Sequence, residues 1–405
     1  MTEKDNILQV KKEGFEEFFM KKIILLAFIL GVVIANLAAI SNYVLMVSCF
    51  EPSAINLALG GSPVGVVNIW HNEPLNAYDN PAYPSLHTGL SYSNTCYDFM
   101  RLKHPGDEKE SAYYASMMSL SYMGFGFLFP SVTNVHTWGI NADYGSIAFV
   151  DENGYEIGIT KQLKEFMYPL GISVNFADLY RIIHNDNTFS NKKLDLCLGM
   201  NYILNCSSID IGYSYPANIG EEYDADCVDS GALLKYSFPL TDKIHLESVA
   251  GFSMFNAYGD GIKYNSGQQH KIYKRINTGI ACSASLKNPN YLKENELTDN
   301  FENIGCLRLL AGMNDDRTQS PNIYGIGTEL GFLDTIFLRS GYHKDKGGNI
   351  EGLTYGIGLD LHYRNLVSLN GNYSYFPGGS QCKDKNIYSF GCNLNVFQIA
   401  SEMLK

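Results

Sequence analysis

Glu329 and Arg339 are the two residues whose types and spacing most clearly suggest chemistry. Both fall on the small, polar side of runs in which apolar residues alternate with other residues, and a turn at Asp334 separates them. If the runs are antiparallel strands, this turn brings the carboxylate and the guanidinium together. Such a pair can form an ion pair, hold another part of the chain, or recognise a polar group of a ligand. Charged residues occupy equivalent positions in other runs, and we predict that they also face inward. These further charges are Asp195, Lys235, Glu247, Arg308 and Asp360.

The rest of the sequence offers little that could support catalysis. It has no nucleophile elbow, and Gly325-Ile326-Gly327 is no phosphate loop because a strand pattern follows it instead of a helix. None of the nine histidines lies three to five residues from another, and none of the nine cysteines forms a Cys-x-x-Cys pair. We therefore predict a protein that is not an enzyme and that uses no cofactor or metal.

The polar positions belong to predicted strands, and the clearest strands lie within residues 353–376. Every second residue from Leu353 to Tyr363 is apolar or aromatic, and the residues between them are small or polar. A turn at Arg364-Asn365 precedes a second alternating run. A two-residue period places one face in an apolar medium and the other in a polar one, and a tilted strand of ~9–11 residues crosses a bilayer. This pattern predicts a hairpin of a membrane β-barrel.

Similar runs recur along the whole chain. Clear alternation is found at 194–202, 209–215, 324–332, 336–342 and 388–396, and weaker alternation at 87–97, 112–130, 138–160, 170–180, 231–239, 244–256, 272–285 and 304–313. We predict an all-β fold, a transmembrane antiparallel up-and-down barrel of about 14 strands over residues 87–397, followed by a tail at 398–405. No amphipathic helix is expected after the N-terminal region. A soluble β-sandwich also alternates, but its exposed face would be richer in Lys and Glu.

The composition agrees with a barrel. The chain has 28 Tyr and 22 Phe, and its mean hydropathy is only -0.11 although 45% of its residues are hydrophobic. A membrane barrel has this character because half of each strand faces a polar interior. The formal net charge of -12 argues against a nucleic-acid partner.

The N-terminal region predicts export. Lys21 and Lys22 precede an apolar stretch with small residues at its end, which is the pattern of a signal peptide at residues 20–40. The charged extension at 1–19 precedes a second methionine, Met20, which is the expected start. A retained membrane anchor is the alternative, because the apolar run reaches the lower limit for a spanning helix. Together with a barrel, the signal peptide predicts an outer-membrane protein.

Residues 41–86 do not alternate, and we predict that they form a plug inside the barrel. The candidate plug residues are Gly60, Gly61, Asn76, Asn80, Pro81 and Ala82. The predicted polar faces of the strands are rich in glycine, and glycine in a strand often marks the close approach of another group. The alternative is that these glycines permit the wall to curve.

Several motifs, in order, resemble a known family. Ser53-Ala54-Ile55-Asn56-Leu57-Ala58-Leu59-Gly60-Gly61 is followed by Asn80-Pro81-Ala82, then by Leu338-Arg339-Ser340-Gly341-Tyr342 and Gly352-Leu353-Thr354-Tyr355-Gly356-Ile357-Gly358-Leu359. This series is similar to the FadL-like outer-membrane β-barrel family, particularly to its PorV/PorQ branch, which includes type IX secretion components. The chain departs from that pattern at residues 68–74, and it continues beyond Phe397, where a barrel commonly ends in an aromatic residue.

The resemblance implies two kinds of function. A PorV-like protein would be a docking or shuttle component in protein secretion or surface attachment, with exported proteins as partners. A FadL-like protein would bind or take up hydrophobic small molecules. Docking predicts a closed wall with a patch on the outer loops, for which 221–229 and 287–304 are candidates. Uptake predicts an apolar groove at the plug and an opening in the wall.

Overall fold

The computed structural model describes residues 51–98, 112–134, 137–138, 140–145, 148–150, 156–184, 194–211, 223–259, 262–264, 269–270, 274–288, 302–316, 322–345, 350–363, 366–378 and 384–403. The predicted extension (1–19), the predicted signal peptide (20–40) and the first part of the predicted plug segment (41–50) lie outside these residues.

Strands account for most of the described chain. In chain order they are β1 (Gly89–Asp98), β2 (Ala112–Tyr122), β3 (Phe125–Pro130), β4 (Val132–Asn134), β5 (Thr137–Trp138), β6 (Ile140–Gly145), β7 (Ala148–Val150), β8 (Glu156–Asn175), β9 (Leu194–Ile211), β10 (Tyr223–Pro239), β11 (Ile244–Gly259), β12 (Ile262–Tyr264), β13 (Gln269–His270), β14 (Arg275–Lys287), β15 (Asn303–Asp316), β16 (Ile323–Phe332), β17 (Ile336–Asp345), β18 (Ile350–Tyr363), β19 (Val367–Phe376) and β20 (Lys385–Leu394).

Most of these strands form a closed antiparallel barrel of 14 positions, in which β3 and β6 share the third position, while β4 and β5 form a separate two-stranded sheet. Each long strand pairs with its neighbours along the chain, and β1 pairs with β20 to close the wall, with Leu90 opposite Leu394. Tight turns join several strands at one end. In the turn after β16, Leu333 and Asp334 have φ of 54° and 46°, as the two central residues of a type I′ turn do, and the backbone amide of Thr335 donates to the carbonyl of Phe332 at 3.0 Å. The predicted all-β antiparallel barrel of about 14 strands is confirmed.

The outward face of the barrel is apolar, as the alternation predicts. Leu353, Tyr355, Ile357, Leu359 and Leu361 of β18 are all exposed, with Leu353 at 68%. The opposite face of the same strand carries the buried Thr354 and small residues that point inward. An apolar outer band around a closed antiparallel barrel is the architecture of outer-membrane proteins.

Two helices correct the prediction that no helix follows the N-terminal region. The first is Phe176–His184, which begins where β8 ends and overlaps the second half of the stretch predicted as a strand at 170–180. The second is Val396–Met403, which follows β20. Both are short, and each continues directly from the alternating pattern of a strand, so the strand period conceals the helical one. No helix among the described residues is long and apolar enough to span a membrane.

The two ends of the barrel differ, and this corrects the prediction about outer loops. Residues 223–229 belong to β10 itself. The connection between β14 and β15 leaves the barrel at the end with the tight turns, where the backbone amide of Asn303 donates to Asp334 at 2.7 Å. The loop preceding β10 lies at the opposite end, because each antiparallel strand reverses direction. The two predicted stretches therefore cannot both be outer loops, and short turns are typical of the periplasmic end.

Candidate functional site

The candidate site is built around residues 51–88, here called the inner segment. It contains three short helices, α1 (Ala54–Ala58), α2 (Ser62–Gly65) and α3 (Asn76–Asp79), and a 3-10 turn at Tyr83–Leu86. Two longer helices follow later in the chain, α4 (Phe176–His184) and α5 (Val396–Met403). Nearly all residues of the inner segment are buried, and its side chains contact the inward faces of strands around the barrel.

Local sequence signals determine where the short helices begin and end. The Ser53 side chain caps α1 by accepting from the backbone amide of Asn56 at 3.2 Å. Gly60 and Gly61 end α1 with φ of 112° and 88°, which glycine adopts without strain. Pro63 lies in the first turn of α2, where its missing N–H is harmless.

Buried polar side chains connect these helices to each other. The Asn56 amide donates to Asn76 Oδ1 at 3.1 Å and to Asp79 Oδ2 at 2.9 Å. Asn68 donates to Asn56 at 2.7 Å, and Ser62 donates to Asp79 Oδ1 at 2.7 Å. Polar groups buried in this way must be paired, so the network favours one conformation of the inner segment.

Wall glycines lie directly against the inner segment. A β-carbon added at Gly312 would overlap the carbonyl oxygen of Pro63, and one at Gly199 would overlap the carbonyl of Pro81. Other wall glycines whose added β-carbon would clash with the inner segment are Gly231, Gly251, Gly279, Gly325, Gly327, Gly341 and Gly356. The absence of side chains at these positions lets the backbone of the inner segment approach the wall.

Asn80 links the inner segment to the wall by hydrogen bonds. Its amide donates to the carbonyls of Val66 at 3.0 Å and Ala232 of β10 at 3.1 Å, while its Oδ1 accepts from the backbone amide of Ala82 at 3.1 Å. Its backbone is extended, with φ of -145° and ψ of 106°, as expected for a residue before Pro81.

Gly60 gives a second link to the wall. Its carbonyl oxygen lies 2.8 Å from Nδ1 of His343 on β17, so the Nδ1–H donates. Close by, the Thr354 hydroxyl donates to the carbonyl of Ala58 at 2.8 Å.

The structure brings together Glu329 and Arg339 with two further residues. Arg339 Nε donates to Glu329 Oε2 at 2.6 Å, and Arg308 also donates to Glu329. His71 of the inner segment contacts Glu329 Oε2 through Nε2 at 2.7 Å. Burial lowers the pKa of His71 to about 4, although the negative charge of Glu329 acts to raise this pKa. We take the imidazole to be neutral, with its Nε2–H donated to the carboxylate.

Two of the other predicted inward charges, Asp195 and Asp360, lie apart from this cluster. Asp195 accepts from Asn175 Nδ2 at 3.3 Å and lies 3.8 Å from Arg181. Asp360 lies 3.5 Å from His362 on the same strand. Both point inward, but neither contacts Glu329.

Sequence reasoning missed the titratable groups of the inner segment itself. Glu73 is fully buried and accepts from the Ser53 hydroxyl at 2.6 Å, and burial raises its pKa to about 7. Burial also raises the pKa of Asp79, which lies in the amide network. Residues 51–88 contain three acidic residues and no Lys or Arg, and this one-sided charge could have indicated docking against basic groups of the wall.

The wall is interrupted at its third position. β3 pairs with β8 as far as Leu128 opposite Gly171, and pairing resumes with β6 at Ile140 opposite Met167. Between these points, residues 168–170 of β8 have no ladder partner on that side. The chain leaves the sheet at Ser131, whose amide donates to Ser116 of β2 at 3.0 Å.

Two prolines explain the interruption. Extending the register beyond Leu128 and Gly171 by two residues places Pro130 opposite Pro169. Neither residue has a backbone N–H, so neither can donate to the ladder. Proline inside a strand marks an edge or an irregularity, and this signal in the sequence could have located the break.

The side chains packed behind this break are apolar. Five fully or almost fully buried side chains from five strands belong to the packed core there, namely Met117, Leu128, Ile140, Met167 and Ile203. On the outward side, the neighbouring exposed residues are Phe127, Phe129, Leu170 and Ile172. Gly126 of β3 packs against the backbone of Pro84 and Ser85, so the broken strand contacts the inner segment.

No group of three or more His, Cys, Asp or Glu residues within the described ranges could hold a metal ion. The described cysteines Cys197, Cys282, Cys306 and Cys392 carry free thiols.

Comparison with known proteins gives structural neighbours only. No protein-family model matches the sequence, and no curated protein matches it. A FadL homologue from Pseudomonas aeruginosa is 10% identical, with 85% of this chain and 99% of that chain covered and a TM-score of 0.39. The Pseudomonas putida toluene transporter TodX is 14% identical, with coverage of 85% and 98% and a TM-score of 0.41. The transport unit of the Escherichia coli autotransporter AIDA-I is 12% identical, with coverage of 76% and 90% and a TM-score of 0.40.

The structural neighbours thus include outer-membrane barrels of the FadL type. Identities and TM-scores this low carry no information about the ligand or role of this chain.

Proposed function

We propose that this protein is a plugged outer-membrane barrel that passes hydrophobic small molecules between its interior and the bilayer. One observation carries the proposal: the wall is broken between β3 and β8, and the side chains packed behind the break are apolar. A closed ladder would leave no route through the wall, whereas three consecutive residues of β8 lack partners here.

The chemistry of the break favours an apolar cargo. A polar solute would lose its hydration among Met117, Leu128 and Met167 without gaining hydrogen bonds, which costs several kcal/mol per polar group. A hydrocarbon has no hydrogen bonds with water to lose. Burial of its apolar surface is favourable by about 25 cal/mol per Å². On the outer side, Phe129 and Leu170 face lipid, so the cargo would remain in apolar surroundings.

The inner segment acts in this proposal as the plug that stops polar solutes. Its predicted residues Gly60, Gly61, Asn76, Asn80, Pro81 and Ala82 support this role through backbone turns, the amide network and contacts with wall glycines. The ion pair of Glu329 and Arg339 holds the segment through His71.

The PorV-like docking function remains a prediction. A docking component is expected to have a closed wall and a binding patch on its outer loops. No feature of the described residues specifically favours this function. Binding of exported proteins to the purified barrel, without transfer of hydrophobic probes, would support docking instead.

Transfer of a hydrophobic fluorescent probe into protein-containing liposomes tests the proposal. Leu128→Ala removes packed apolar volume behind the break and should increase the protein-dependent transfer rate several-fold. The matched control is Leu233→Ala, which truncates an equally buried inward leucine on β10, away from the break. This control should leave the rate unchanged.

Leakage of a small polar dye should stay low in the parent and in both variants. The proposal would be overturned if the parent, Leu128→Ala and Leu233→Ala all gave the same transfer rate, no faster than that of liposomes without protein.

A further inference from the structure

A group of exposed apolar residues lies at the tight-turn end of the barrel, below the broken strand. It is here called the rim patch, and it consists of Tyr122, Met123, Phe125, Phe176, Ile182 and Ile183. Met123 and Ile183 are 50% and 68% exposed, which is unusual for residues beside polar turns.

Helix α4 supplies three of the six residues of the rim patch, and its polar side is fastened to the barrel. The Asn175 side chain caps it by accepting from the backbone amide of Ala177 at 3.0 Å, and the Asn175 backbone amide donates to the carbonyl of Gly124 in the β2–β3 turn at 2.7 Å. Arg181 pairs with Asp178 of the same helix at 2.5 Å and lies 3.8 Å from Asp195 of β9. These contacts fix the orientation of the helix.

The opposite side of α4 faces away from the barrel. Phe176 and Ile183 are separated by seven residues, so they share one face of the helix, and Tyr180 lies between them. An amphipathic helix with aromatic and aliphatic residues on its free face suits the boundary between lipid headgroups and acyl chains.

Helix α5 borders the same region. Phe397 of α5 stacks on Tyr122 at the end of β2, with ring centroids 3.9 Å apart. The rim patch is therefore supported by a helix on each side of the β2–β3 turn, where Met123 and Gly124 have positive φ.

The rim patch is continuous with the outer apolar band. The exposed Ile172 of β8 lies four residues before Phe176, and Phe125 begins the lipid-facing row of β3. We propose that α4 and the β2–β3 turn bind the phospholipid surface, with the apolar face of α4 inserted at the headgroup boundary of the inner leaflet of the membrane. Continuity with the band favours lipid over a soluble protein partner.

This position would fix the height of the wall break in the bilayer. Leu170 lies five residues above Asn175 on β8, which corresponds to ~13 Å along the membrane normal for a tilted strand. The apolar band of a barrel is ~25 Å tall, so the break would face its middle. The lipid contact of α4 does not depend on the proposed transport function.

A fluorescent, polarity-sensitive amino acid placed at position 183 tests the proposal in phosphatidylcholine vesicles. Its emission should shift to the blue, and lipids brominated near the headgroup end of the acyl chain should quench it several-fold more than acrylamide does. Position 357, on the outward face of β18, provides the reference for full lipid exposure. Position 242, in the exposed β10–β11 turn at the same end, provides the aqueous reference.

A label at 183 that behaves like the label at 242, quenched by acrylamide and insensitive to brominated lipid, would overturn the proposal. That result would instead indicate a surface for a soluble partner. An Ile183→Asp variant provides a second readout, because it should reduce the lipid quenching of a label at 176 while the barrel still folds.

Discussion

Gly312 of β15 lies so close to Pro63 of the inner segment that even a methyl group at Gly312 would overlap the Pro63 carbonyl oxygen. The clash is with backbone, which cannot rotate away as a flexible side chain could. The wall and the inner segment are therefore fitted to each other at the level of the main chain.

Replacing Gly312 by alanine should loosen the inner segment without preventing barrel assembly. The added β-carbon forces the backbone near Pro63 away from the wall, so cleavage of residues 51–88 by an added protease should become faster. Heat-modifiable migration on gels should persist. Gly371→Ala is the matched control, because a β-carbon at Gly371 meets nothing within 4 Å. Equal cleavage rates in both variants would contradict this prediction.

Removing the carboxylate of Glu329 should be strongly destabilising. Glu329→Ala leaves Arg308 and Arg339 buried without a counter-charge, which costs roughly 3–5 kcal/mol. We expect a lower urea midpoint in vesicles and increased leakage of small solutes, and the same leakage for Arg339→Ala.

Lys344→Ala provides the comparison for the Glu329 variant. It breaks the exposed pair with Glu351, which should cost at most about 1 kcal/mol. If Glu329→Ala changed neither the leakage of small solutes nor the urea midpoint, the cluster around Glu329 would not hold the inner segment.

The pKa of Glu73 predicts a pH dependence of stability. Its value of about 7 in the folded protein exceeds the ordinary value of 4.5, so the folded state binds the extra proton between these values. The stability that Glu73 contributes is therefore complete below pH ~4.5 and is lost as pH rises through 7.

Relative to Glu73→Gln, which resembles the protonated side chain, the parent should lose roughly 3 kcal/mol of unfolding free energy between these pH values. Urea unfolding of both proteins across this range measures the difference. His71 changes stability in the opposite direction, because its pKa is lowered to about 4 and its contribution is lost as pH falls. Comparison with the Gln variant cancels the His71 effect. A constant difference between the two proteins would argue against a buried, protonated Glu73.

Asn80→Ala should weaken the attachment of the inner segment to β10. The carbonyls of Val66 and Ala232 would lose their donor, at a cost of about 1–3 kcal/mol. Hydrogen exchange of the amides near Val66 should become faster. Asn386→Ala removes an exposed hydrogen bond to Tyr373 and should have no such effect. Unchanged exchange in Asn80→Ala would show that the Asn80 hydrogen bonds do not hold the segment to β10.

The sequence predicted the wall well because lipid imposes a strict two-residue period. The row from Leu353 to Leu361 is exposed throughout, and the turn at Asp334 brings Glu329 opposite Arg339 in the ladder. Lipid cannot satisfy backbone groups, so the strands must pair with one another and the period is preserved.

The interior was less predictable, because its contacts join residues far apart in the chain. The contact of His71 with Glu329 depends on the path of a segment without regular periodicity. Helix α4 was mistaken for a strand because only nine residues follow the alternating end of β8. Pro130 and Pro169 were visible in the sequence, but their opposition emerges only from the register.

The pairing of Leu90 with Leu394 has a consequence for the order of folding. The inner segment directly precedes β1, and β1 is joined to the last strand by a seam that spans almost the whole described chain. Contacts so distant in sequence form late, because the loop they close is long. The wall glycines bring the wall so close to the inner segment that the segment could not enter a barrel that had already closed. We therefore expect the inner segment to take its place before β1 pairs with β20, so that the barrel is assembled around it.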